Sequence, residues 1–187
     1  MELKTILTKH REYYLNHFKK IRDQSESGVN EFLLEIKNDE PEELYRLYRY
    51  DLVIKKEDDF SIVEFNTDGF LNHSEIEFDI NSKKIILRPI VWNGIEVSID
   101  LIDFKFDGVE EWAFKWLDIE DKKEINKDKF QEVIHNITKP AIEDNWLTFC
   151  IDFGTSNIEA AEELIEIILK QENVKEIIFE SKWMTGE

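Results

Sequence analysis

The sequence predicts an α+β fold made of N-terminal helices, an antiparallel β-meander and a C-terminal strand–helix–strand unit. Three observations predict it. Apolar residues recur every three or four positions over residues 2–22, the spacing of one helix face. Apolar and polar residues alternate over residues 75–80 and again over 95–101, the period of a half-buried strand. Residues 146–179 pass from an apolar run to a strongly helix-forming stretch and back to an apolar run.

In chain order, Leu3, Ile6, Leu7, His10, Tyr13, Tyr14, Phe18 and Ile21 form the first stripe, with Lys4, Arg11, Lys19 and Arg22 between them. Gly28 closes the polar break that follows. Residues 29–37 read equally as a short helix or a strand. Asn38, Asp39 and Glu40 before Pro41 mark a helix start, predicting a helix to about Tyr50 with Glu42 and Arg46 paired one turn apart. Phe60 to Phe65 is an apolar run, and Thr67, Asp68 and Gly69 make a turn. Ile76, Phe78 and Ile80 alternate with acids. Asn81 and Ser82 turn the chain, and residues 84–91 return. Asn93-Gly94 is a hairpin signal, after which Ile95, Val97, Ile99 and Leu101 alternate again. These segments predict the meander, with one face solvated. Val109, Trp112 and Trp116 predict a helix over 108–118. Phe130, Val133, Ile134 and Ile137 predict another over 126–137, closed by Pro140. The last unit reads as a strand over 146–153, a helix over 157–171 and a strand over 174–179. Its short connections favour a parallel pair.

Composition bounds the function. The chain has 187 residues, 42% hydrophobic and 12% aromatic, enough for one domain with its own core; residues 104–125 are the candidate place for a subdivision. A single cysteine, Cys150, allows no internal disulfide and no multi-cysteine metal site, which fits a reducing compartment. No apolar stretch approaches the ~18 residues that span a bilayer, and the N-terminus does not read as a signal peptide, so a cytoplasmic protein is expected. The formal net charge is −18. Residues 1–93 carry 14 basic and 19 acidic side chains, whereas residues 94–187 carry 10 and 23. That balance disfavours nucleic acid and anionic membrane and allows a basic protein partner. Solubility alone also accounts for it.

Asp152, Gly154 and Thr155 resemble the phosphate-cradling turn of sugar-kinase, actin and Hsp70-type ATPases over about six residues, and that resemblance would imply nucleotide binding. In those families the turn leads into another strand. Here Ser156-Asn157 leads into a helix-forming stretch dense in carboxylates, which would repel phosphate. The expectation is therefore a helix cap: an oxygen from Ser156 or Asn157, with Glu159 completing a capping box. Cys150, on the same side of its strand as Thr148 and Asp152, reads as an inert buried thiol. His10 and His17 lie two helical turns apart, about 10 Å, too far to chelate one ion unaided, so no metal or cofactor is expected. Adjacent acids such as Asp58-Asp59, Glu110-Glu111 and Glu162-Glu163 arise by chance among 42 carboxylates. Nucleophile-elbow, Walker A and dinucleotide patterns are absent.

The candidate partner-binding residues are Trp92 at the predicted hairpin tip and Trp183 in the tail, with Glu110, Glu111, Asp118, Glu120 and Asp121 around Trp112 and Trp116. Aromatic anchors ringed by acids suit a basic partner. The function expected from sequence is a non-enzymatic acidic protein-binding protein. In composition it is similar to immunity proteins, which neutralise bacterial toxins. The alternative is a small enzyme whose site is assembled from distant residues such as Asp100, Asp103 and His135. A third reading makes the basic N-terminal helix an oligomer contact.

Overall fold

The computed structural model describes residues 2–24, 28–37, 39, 41–56, 59–63, 73–100 and 104–181. The fold is α+β. The N-terminal stripe forms α1 (Leu3–Asp23), which buries Leu3, Ile6, Leu7, His10, Tyr14 and Phe18. The cations Lys20 and Arg22 in its last turn complement the helix dipole. Strands β1 (Gly28–Glu35), β2 (Leu47–Lys56) and β3 (Asp59–Val63) then form a three-stranded antiparallel meander.

The second sheet holds β4 (Ile76–Ile80), β5 (Lys83–Leu87), β6 (Ile95–Ile99), β7 (Asn136–Ile137), β8 (Ala141–Glu143), β9 (Trp146–Asp152) and β10 (Glu176–Glu180). Its order is β4-β5-β10-β6-β9-β7, with β8 also on β9. Two helices pack against it, α2 (Asp107–Leu117) and α3 (Ile158–Leu169). The alternation in β9 is as the sequence reads. Leu147, Phe149 and Ile151 are buried, while Thr148, Cys150 and Asp152 are half-buried. From α3, Ala160, Ala161, Leu164 and Ile168 enter the core, and Trp112 of α2 donates its indole N–H to the carbonyl of Ala160 at 2.9 Å.

Four expectations are corrected. First, residues 41–50 make one 3-10 turn (Glu43–Arg46) and then β2, because Tyr48, Tyr50, Val53 and Ile54 are strand formers. Arg46 pairs with Glu35 at 3.0 Å and Glu42 with Lys139 at 3.2 Å, not with each other. Second, the meander expected over residues 76–101 is split. β10 lies between β5 and β6, parallel to the first and antiparallel to the second, so Asn93-Gly94 turns a chain that crosses another strand. Third, β9 and β10 share one sheet and run parallel, but β6 stands between them, antiparallel to both. Fourth, residues 126–137 are not helical. Their amides bond elsewhere: Ile134 to the carbonyl of Trp116 at 3.1 Å, and His135 to that of Asp152 at 2.8 Å. Tertiary partners satisfy the backbone there, so the helical spacing of Phe130, Val133 and Ile134 serves burial alone.

Truncation of a buried α3 residue is expected to be costly. Leu164→Ala, at a fully buried position, should lower the unfolding free energy by about 2–5 kcal/mol in urea denaturation. Ile142→Ala on exposed β8 should change it by less than about 0.5 kcal/mol.

Candidate functional site

The corner after β9 is where the phosphate-turn resemblance is decided. Gly154 takes the left-handed conformation, with φ +47°. Its N–H donates to Asp152 Oδ1 at 2.8 Å, and its carbonyl accepts the Trp92 indole N–H at 3.0 Å. The His135 ring presses against its α-carbon so closely that a Cβ there would lie 2.2 Å from Cδ2. On the other side, Arg11 donates to the carbonyls of Ser156 and Thr155 at 2.6 and 3.4 Å and to Asn157 Oδ1 at 3.3 Å. The turn's backbone is thus engaged by the side chains of Trp92, His135 and Arg11. The helix does start here, but the predicted side-chain cap does not form. Asn157 spends its oxygen on Arg11 and its amide on Glu132 at 2.6 Å, while Ser156 Oγ is buried without a hydrogen-bond partner among the described residues.

His135 anchors a buried charged knot. Its Nε2 lies 3.3 Å from Glu31 of β1, and its Nδ1 lies 3.2 Å from Asp51 of β2 and 3.7 Å from Asp152 of β9. The Nδ1 contacts are ion pairs rather than aligned hydrogen bonds. Tyr14 donates to Asp51 at 2.7 Å, Thr155 donates to Glu31, and the Gln131 N–H donates to Glu31 at 2.7 Å. Beside it, the fully buried Arg49 guanidinium donates to the carbonyls of Leu117, Asp118 and Glu31 at 2.7, 2.7 and 3.0 Å, and to Asp121 at 3.2 Å. Burial opposes charge on the imidazole, but Asp152, Asp51 and Glu31 outweigh it and raise the His135 pKa well above the ordinary value. Burial likewise raises Asp152, although His135 pulls it down. Burial and Asp51 raise Tyr14 well above its usual value. Every side chain touching the imidazole is buried or nearly so. The knot therefore fastens the three-stranded sheet to the β9 corner.

The sequence-predicted residues scatter. Trp92 is 1% exposed and stacks on Phe153 with ring centroids 4.7 Å apart, which corrects its expected exposure. The turn folds back onto the β9 corner, where the Phe153 N–H reaches the carbonyl of Trp92 at 3.3 Å. Glu110 accepts the Tyr45 hydroxyl at 2.7 Å. Asp118 and Asp121 are drawn together around Arg49. Glu111 and Glu120 are exposed, and Glu120 pairs with Lys122. Trp112 and Trp116 are core residues. Asp100 accepts the N–H groups of Lys175 and Glu176 at 2.9 and 2.8 Å, a structural role at the start of β10. Trp183 and Asp103 lie outside the described residues.

The sequence reading missed a surface. Val29, Phe32, Phe60 and Ile62 are exposed by 55, 42, 68 and 48%. With Gly28, Leu34 and Val53 they line an open groove of about 530 Å³ on the three-stranded sheet. Large apolar patches on a soluble surface mark interaction sites. The signal was the phenylalanine at 60 and the isoleucine at 62, two apart in a short run, but which sheet face they occupy depends on β3 pairing with β2. Among the described residues no group of three metal-binding side chains is assembled, and no helix is long and apolar enough to cross a membrane. The chain matches no protein-family model, no curated protein and no solved structure.

Two outcomes follow from the knot. Gly154→Ala combines a left-handed alanine with a collision against His135, and should lower unfolding free energy by roughly 2–5 kcal/mol in denaturant titrations. For pH, the raised folded-state pKa of His135 means that its stabilisation is complete below the ordinary value of 6.5 and is lost as pH rises through the folded value. Asp152, also raised, acts in the same sense at lower pH. Urea midpoints should therefore fall above pH 6.5, with a slope of at most about 1.4 kcal/mol per pH unit for one proton, and His135→Gln should flatten that fall.

Proposed function

We propose that this chain is a non-catalytic binding protein that engages a basic protein partner through the apolar groove on β1, β2 and β3. The observation that carries the reading is the exposure of Phe32, Phe60, Val29 and Ile62 on one groove. Apolar side chains exposed together have a driving force for burial of about 25 cal/mol per Å² once a partner covers them. The chemistry of the partner is supported by charge. A net charge of −18 attracts cations over nanometres at low salt, and exposed Asp59 stands beside Phe60 at the groove. An immunity-type inhibitor that covers the active face of a basic toxin has this combination of an apolar anchor and an acidic field. Two exposed acids of the sequence reading, Glu111 and Glu120, contribute to the field rather than to the anchor.

The test uses extended peptides that alternate Lys or Arg with Leu or Phe, titrated into the full chain by fluorescence anisotropy. Binding should weaken about 10-fold or more between 25 and 300 mM salt. The double variant Phe60→Ser, Ile62→Ser should weaken it by a similar factor while leaving the circular dichroism spectrum and urea midpoint nearly unchanged, since both side chains are exposed. Equal affinity of the variant and the parent would refute the groove. Equal affinity at both salt concentrations would refute the basic partner.

A further inference from the structure

The three-stranded sheet has two edges, and they differ. The β1 edge meets the segment before β7: Asn30 donates to the carbonyl of Lys129 at 2.9 Å, and Glu31 accepts the Gln131 N–H at 2.7 Å. β3 pairs with β2 and, among the described residues, with no other strand. An edge strand of this kind carries a row of backbone N–H and carbonyl groups that another chain can take up. The Phe60 N–H donates to the carboxylate of Asp59 at 2.8 Å, a local side-chain acceptor of the kind that serves a backbone group without a ladder. Side chains along β3 alternate. Phe60 and Ile62 are exposed beside the groove, while Ser61 and Val63, on the opposite face, are half-buried. Asp59 falls on the Ser61 face by the same period and is exposed at the strand's start.

Resting on the groove reading above, we propose that the partner enters as an extended segment that adds to this sheet as a fourth strand along β3, its apolar and basic residues alternating. Three features select that occupant. Extended backbone alone can pair with the row of groups on a strand edge; a helix laid in the groove would leave them unpaired. Side chains of adjacent strands lie beside each other on the same face, about 4.5–5.5 Å apart. Alternate residues of the added strand therefore fall next to Phe60 and Ile62, where apolar groups extend the groove, and the residues between fall on the Asp59 face. Charge completes the choice. Asp59, in a chain of net charge −18, favours cations at those intervening positions and disfavours a second acidic copy of this chain. β3 (Asp59–Val63) spans about 17 Å at the usual rise, so a partner segment of about six residues covers it.

The experiment titrates the full chain with a peptide of about six residues that alternates Leu with Lys, read by fluorescence anisotropy. Two further series carry N-methyl groups on every second amide, in one register or in the other. Along an added strand the N–H groups point alternately toward and away from β3. One methylated series should therefore bind about 10-fold or more weaker than the parent peptide, and the other within about 2-fold of it. Two series that bind alike overturn strand addition. If Phe60→Ser, Ile62→Ser still weakens the parent peptide in that case, the groove reading stands without it. A helix-stapled peptide of the same composition that binds as tightly as the extended one also overturns strand addition. A parent peptide that does not bind refutes the groove reading and takes this inference with it. Sedimentation of the free chain should give a monomer. A dimer dispersed by the double variant would assign the β3 edge to a second copy and overturn the proposal.

Discussion

His135 is a buried cation-forming ring held among Glu31, Asp51 and Asp152, and the attachment of one sheet to the rest of the molecule depends on that contact. Each partner comes from a different strand; Glu31 and Asp51 are sealed from water and Asp152 nearly so, which limits the solvation they can recover. Taking ions out of water costs several kcal/mol apiece, so the knot holds only because each charge meets an opposite charge or a donor. Removing any one member would strand the others, which is why Tyr14, Thr155 and the Gln131 amide complete the shell.

Local backbone choices follow from the knot. Glu31 has a left-handed φ of +53° within a strand, a conformation that costs about 1–3 kcal/mol and is sustained by the contacts its carboxylate makes. Gly154 must lack a side chain because the ring occupies that space. The segment 126–137 gives up the helix its spacing favours in order to present His135 to β2 and β9. Its carbonyl accepts the Arg49 N–H at 2.8 Å, and its own N–H reaches Asp152. Arg49 then gathers Leu117, Asp118 and Asp121, so α2 is drawn to the same junction.

This arrangement divides the surface chemistry. Charges inside the molecule are matched and fixed, while the outward side of the fastened sheet keeps Phe32, Phe60 and Ile62 in solvent. A sheet held by an internal ionic junction can leave apolar residues outside without using them for its own packing. The excess of acid over base sets up a field that salt screens.

Sequence alone determined the elements whose pattern is strong and local: α1, α2, α3, β6, β9 and β10 stand where periodicity placed them, because side-chain spacing and propensity act within a few residues. It also showed that the β9 corner leads into a carboxylate-rich helix and not into another strand. Strand order, the insertion of β10 between β5 and β6, the burial of Trp92 and the meeting of His135 with Glu31 were decided by tertiary structure. Those features join residues up to 104 positions apart. The hydrogen bonds and ion pairs that select them exist only once distant segments are side by side, and nothing in the spacing of neighbouring residues encodes which segments those will be.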